Sequence, residues 1–144
     1  MKKLLVTSLT GILAAGFAVA AFAQTSARTE INTAHAHALM AQGATSIAMS
    51  HAHLQHVINC LVGPQGQGFD ATADNPCKSQ GNGAIPDSAS DQAVQSKLES
   101  ALADAQTGLK SDSLASAQRD AAKVAAALQD TGSSTQKTGG GDSW

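Results

Sequence analysis

All three prolines of the chain and five of its thirteen glycines fall between Gly63 and Asp87. Proline fixes φ and lacks an amide hydrogen, and glycine weakens helix and strand alike, so breakers at this density exclude a long helix or a central strand there. Periodic structure is confined to the two sides of this stretch. A loop this long in a small domain is usually either functional or pinned. The only two cysteines, Cys60 and Cys77, are placed to pin it. Paired in an oxidising compartment they would stabilise the fold by about 3 kcal/mol in the chain-entropy model. The competing reading makes them soft metal ligands.

On the N-terminal side the sequence reads as helix, broken near Gly43. Glu30–Gln42 places Ile31, Ala34, His35 and Ala38 on one face, and Gly43 stands where a C-cap glycine belongs. Thr45 or Ser46 can cap the next helix. There Ile47, Ser50, Leu54, Val57, Ile58 and Leu61 recur at three- and four-residue spacing. On the C-terminal side Ser88-Ala-Ser-Asp91 fits a capping box, a hydroxyl followed three residues later by an acid. Val94, Leu98, Ala101, Ala105 and Leu109 follow, and after a break at Gly108–Ser111 come Leu114, Ala117, Ala121, Val124 and Leu128. Ile47, Val57 and Leu61 share one frame with Leu114, Val124 and Leu128, as if one helical pair were a copy of the other. The predicted fold is all-α: two antiparallel helical hairpins forming a four-helix bundle over residues 24–130, joined by the loop 63–87. Phe69 and Ile85 of that loop are expected to tuck against the bundle. From Thr131 to Trp144 the chain is Gly, Ser and Thr with scattered charge, which predicts a disordered tail.

The first residues read as an export signal. Lys2 and Lys3 precede an uncharged apolar stretch, Leu4–Ala20, and Ala21-Phe22-Ala23 puts small residues at the −3 and −1 positions. This predicts a signal peptide over residues 1–23, cleavage before Gln24 and a periplasmic protein. Thr7, Ser8, Thr10 and two glycines make the stretch a weak anchor, so no stable membrane insertion is expected after cleavage. The formal net charge is −2 and the charges are scattered. With no basic patch to meet phosphate, nucleic acid is not an expected partner. Tyr is absent and Trp occurs once, leaving little to line an aromatic pocket for sugars, bases or flavins.

All five histidines lie between positions 35 and 56: His35, His37, His51, His53 and His56. The aligned positions of the second helical pair carry Gln118, Asp120 and Lys123, so the fold itself does not call for imidazole. A turn near Gly43-Ala44 brings His35 and His37 to the level of His51, and His35, on the core-facing stripe, pairs with His51 in this reading. His53 and His56 share one face, with Met49 and Cys60 each one turn away on the same flank. His35 and His37 point about 200° apart, so they cannot serve one site by themselves. Neutral imidazole suits Cu(II), Zn and Ni, and a Met thioether adds Cu(I). The candidate ligands are therefore His35, His37, His51, His53 and His56, with Met49 as an accessory.

The stretch His35–Cys60 resembles small histidine-rich periplasmic metal-binding proteins of Gram-negative bacteria, which are Ala-rich helical hairpins with His on their helices. The resemblance implies buffering of copper or another divalent metal. The Gly/Pro-rich loop, the cysteines and the His-free second pair depart from that pattern.

No GxSxG motif, P-loop or dinucleotide fingerprint is present, and Asp70–Asp74 lacks the EF-hand pattern and its terminal Glu. The reading is non-enzymatic: periplasmic binding of a transition metal, copper first, with zinc or nickel as alternatives. A second reading is a structural or interaction module of the cell envelope, with incidental or pH-sensing histidines and a protein partner on the loop. A third is an electron-transfer bundle holding b-type haem.

Overall fold

The computed structural model describes the backbone of residues 16–137 and the side chains of residues 22–132. Five helices and no strand occur among the described residues: α1 (Gly16–Gln42), α2 (Ile47–Val62), α3 (Ala84–Asp87), α4 (Gln92–Leu109) and α5 (Leu114–Lys137). Most of the expected signal peptide, residues 1–15, lies outside the described residues, as does the end of the expected tail from residue 138. None of these helices is long and apolar enough to cross a membrane.

The longest helix starts earlier than its amphipathic pattern indicates. Sequence periodicity begins the helix at Glu30, whereas α1 runs from Gly16. No proline or glycine interrupts Phe17–Gln42, and its many alanines cost nothing in helix propensity, so the helix extends past the stripe that packs. Gly43 ends it, donating its N–H to Leu39 O at 3.0 Å. The left-handed glycines lie elsewhere, at Gly63, Gly68 and Gly83. Ser46 caps α2, its hydroxyl accepting from Met49 N at 3.2 Å.

The capping of α4 differs from the capping-box reading. Asp91, not Ser88, is the N-cap, its carboxylate accepting from the N–H groups of Ala93 and Val94, both at 3.1 Å. The reason lies just upstream, where Ser88 is already engaged as the C-cap of the one-turn α3, its N–H bonded to Ala84 O. At the other end of the domain α5 continues to Lys137, so residues 131–137, expected in a disordered tail, are helical. Thr131 is fully buried and its hydroxyl donates to Ala127 O at 2.7 Å.

The core follows the periodic residues. Ile31, Ala34, Ala38 and Ala41 of α1 are buried, as are Leu54, Val57, Ile58 and Leu61 of α2. So are Val94, Leu98, Ala101 and Ala105 of α4 and Ala117, Ala121, Val124 and Leu128 of α5. α1 packs on α2 and α5, and α4 packs on α5 and α2. Small residues set the spacing: a Cβ on Gly108 would stand 2.9 Å from Leu54 Cδ1 and 3.1 Å from Asp120 Cβ, so α4 approaches its neighbours at this point without a side chain.

The long loop is held on all sides. Cys60 and Cys77 form a disulfide with Cα atoms 5.2 Å apart, and both are buried. Asn59, 1% exposed, grips the loop with its whole amide: Oδ1 accepts from Asp70 N at 2.9 Å, and Nδ2 donates to Asp70 O and Asp74 O. Phe69 and Ile85 are half-buried against the core, as their apolar character predicts. Gly63 and Gly83 both have positive φ, and a Cβ on Gly63 would overlap the Asn82 carbonyl. Glycine is required where the two ends of the loop cross.

Candidate metal centre

Three imidazoles converge between α1 and α2. His53 and His56 are three residues apart on α2 and share a face. His37 comes from α1. Its Nδ1 lies 3.2 Å from Nδ1 of His53 and 3.3 Å from Nδ1 of His56. The ring centroids are 4.9–5.6 Å apart, and all three side chains are half-buried. One ligand atom from each ring lies within 4.8 Å of the other two, and this is the grouping among the described residues that could hold a metal ion.

Hydrogen bonding alone does not account for this geometry. A neutral imidazole nitrogen carries either one hydrogen or one lone pair. Nδ1 of His37 therefore cannot form a full hydrogen bond with each of its two partners at once. A cation between the rings accepts all three lone pairs. With metal–nitrogen bonds of about 2.0–2.1 Å, two nitrogens on a tetrahedral ion stand about 3.3 Å apart. The two spacings made by His37 match that value.

Electrostatics favours the ligand-competent form. Burial pushes the pKa of His37 below the ordinary histidine value, and the neighbouring His56 and His53 push it further the same way. Burial and then His53 lower that of His56, while the Asp74 carboxylate pulls it partly back. Both effects leave the rings uncharged at neutral pH, which is what a metal requires of imidazole. Asp74 is a carboxylate that acts on His56, delivered by the loop that Asn59 holds one turn beyond that histidine.

The remaining sequence candidates stand outside the cluster. His35 is half-buried on α1, two residues and therefore about 200° away from His37. The expected pairing of His35 with His51 does not form part of the converging set. The core stripe of α1 is Ile31, Ala34, Ala38 and Ala41, which puts His37 on the edge facing α2 and His35 on the opposite edge. His51 is half-buried on α2, and its Nε2 is buried with no hydrogen-bond partner. Met49, 46% exposed, lies one turn before His53, outside the converging nitrogens. Cys60, one turn after His56, is occupied in the disulfide rather than available as a ligand.

Sequence reasoning passed over Asn59, and it weighed Asp74 only within a calcium-type loop, not beside the histidines. Asn59 did carry a local sign, a polar residue inside the apolar run Val57-Ile58-Asn59-Cys60-Leu61-Val62. The place of Asp74 beside His56 carried none, because it depends on how the loop folds back. Comparison with protein-family models, curated proteins and solved structures finds no match.

Proposed function

We propose that this protein binds one transition-metal ion through His37, His53 and His56 and acts as a non-catalytic metal buffer or carrier outside the cytoplasmic membrane. The observation that carries the proposal is the convergence of the three imidazoles, with Nδ1 of His37 at metal-ligand spacing from Nδ1 of both His53 and His56. An all-imidazole donor set suits copper, zinc and nickel. Copper is the first choice on the resemblance of His35–Cys60 to histidine-rich periplasmic metal-binding proteins. Three protein ligands leave a further coordination position for water or for an exchanging ligand, which suits a site that releases its ion. The export-type N-terminus supports a periplasmic location, and a buried disulfide is compatible with an oxidising compartment. The packing of α1, α2, α4 and α5 supports the reading of two helical hairpins in a four-helix bundle, with the site between the helices of the first.

Calorimetric titration of Cu(II), Zn(II) and Ni(II) into tag-free protein at pH 7 tests this. Saturation at one equivalent, with micromolar or tighter affinity for at least one ion, is the expected result. Absence of saturable binding for all three ions would overturn it.

A further inference from the structure

Away from the histidines, two carboxyl groups are buried without a cation among the described residues. Glu30 on α1 is 1% exposed, and Asp87 on α3 is 7% exposed. The third buried acid, Asp120, is paired with Lys123 at 2.8 Å, but neither Glu30 nor Asp87 has a cationic partner among the described residues. Glu30 Oε1 accepts from Gly83 N at 2.8 Å, while Oε2 is buried with no hydrogen-bond partner. Asp87 accepts from Asn82 through both oxygens, from N and from Nδ2, each at 3.1 Å. The two carboxyls face the same point of the chain: a Cβ on Gly81 would overlap Asp87 Oδ2 and stand 2.9 Å from Glu30 Oε1. Glycine at position 81 lets both groups close on the backbone there.

This pair is where the far arm of the loop, Gly81–Asp87, meets α1. The near arm is tied independently, by the disulfide and by Asn59. Cys77 Sγ also lies 3.8 Å from Glu30 O, and Thr33 Oγ1 lies 3.0 Å from Gln80 Oε1. Glu30, buried beside the Asp87 carboxylate without a cation, favours retention of its proton, because both desolvation and like charge oppose its ionisation. A proton on Glu30 removes the charge from its unpartnered oxygen and leaves Oε1 free to accept from Gly83.

We propose that Glu30 acts with Asp87 as a proton-operated latch: a proton held on Glu30 keeps the arm Gly81–Asp87 seated on α1, and its loss releases the arm while the disulfide retains the rest of the loop. The charges around the latch agree with this. α3 contributes Asp87, and Gly81–Gly83 contribute only backbone and the Asn82 amide. α2 brings Cys60 in its disulfide. On α5, which packs along α1, Gly132 stands against Ile31, and the nearby Asp130 is exposed. Burial pushes the pKa of Glu30 up from 4.5 to about 7, with the Gly83 N–H opposing and Asp87 adding to the rise. The raised value fixes the sign: the closed arm is most stable below the ordinary carboxyl pKa, and that stability is lost as pH rises through about 7.

Hydrogen exchange of the Gly83 amide, read as a protection factor by NMR from pH 5 to 8, tests the latch. In the wild type, protection is expected to fall about tenfold for each pH unit between pH 5 and 7 and then level off, the slope for one proton. In Glu30→Gln, which keeps an acceptor for Gly83 and cannot ionise, it is expected to stay flat. His37, His53 and His56 remain in that variant, so their titration cannot produce the difference. A second readout needs no variant: the side-chain carboxyl 13C resonance of Glu30 is expected to titrate near neutrality. Protection independent of pH in the wild type, the same slope in Glu30→Gln, or a Glu30 midpoint near 4.5 would each overturn the proposal.

Discussion

Nδ1 of His37 on α1 lies 3.2 Å from Nδ1 of His53 on α2, across sixteen residues of chain. The register that brings them together is visible one turn closer to the chain reversal, where Ser50 Oγ donates to Ala41 O at 3.0 Å inside the core. Ala38 and Ala41 hold α1 close to α2, and His37, on the edge of that small-residue stripe, reaches the two imidazoles of α2. The centre is thus built by helix packing and not by a contiguous ligand motif.

Metal binding should outlast the ordinary histidine range as pH falls. Burial and neighbouring rings hold His37 and His56 below the usual value of 6.5. Their neutral forms therefore persist there, and protons displace the metal only further down. The metal-free fold has the same sign: stability that these rings contribute is present above pH 6.5 and is lost as pH falls through their depressed values. Thermal melts with and without Zn(II) check this. The metal-induced rise in Tm should be present at pH 7, correspond to about 2.7 kcal/mol when free metal is a hundredfold above Kd, and be lost only below the ordinary histidine range.

Asn59→Ala should destabilise the protein by about 2 kcal/mol. The change removes three hydrogen bonds to Asp70 and Asp74 and leaves their backbone groups to find water. Urea denaturation of the variant measures the loss. Exchange of the Asp70 amide, which Asn59 Oδ1 accepts from, should accelerate more than exchange of the α4 and α5 amides.

Loss of the disulfide should cost about 3 kcal/mol while leaving the helices in place. The bridge closes a loop that also has its own attachments through Asn59 and Phe69. Cys60→Ser with Cys77→Ser should therefore lower the urea midpoint and keep the far-ultraviolet circular dichroism at neutral pH. Helical signal lost along with the bridge would contradict this.

Gly108→Ala sets two effects against each other. Alanine gains up to about 1 kcal/mol in helix propensity over glycine. The added methyl, however, would stand 2.9 Å from Leu54 Cδ1 and 3.1 Å from Asp120 Cβ, and overpacking of that kind costs about 1–3 kcal/mol. Net destabilisation of about 1 kcal/mol is expected in denaturant melts, with α4 displaced from α2.

Much of this architecture can be read from periodicity. Leu54, Val57, Ile58 and Leu61, and likewise Val94, Leu98, Ala101 and Ala105, are buried at the spacing that marks them as a helical core face. The pairing of Cys60 with Cys77 and the half-burial of Phe69 and Ile85 are equally legible. Periodicity does not say which edge of a stripe meets which neighbour. His35 and His37 sit on opposite edges of the α1 stripe, and the docking of α1 between α2 and α5 decides that His37 joins His53 and His56. Capping patterns have the same limit, since Ser88 fits an N-cap locally and is taken by α3 instead. Glu30 shows why burial of an acid escapes local reading. Its place on the flank of α1 looks solvated until Gly81–Asp87 folds over it.

The most direct test is a comparison of two single variants of neighbouring histidines. With the ion that binds the wild type most tightly, calorimetric titration at pH 7 should give one equivalent for wild type and for His35→Ala with unchanged Kd. His37→Ala, two residues away, should weaken binding by at least about a hundredfold, as removal of one of three ligands implies. Equal losses in both variants, or retained affinity in His37→Ala, would contradict a centre built from His37, His53 and His56.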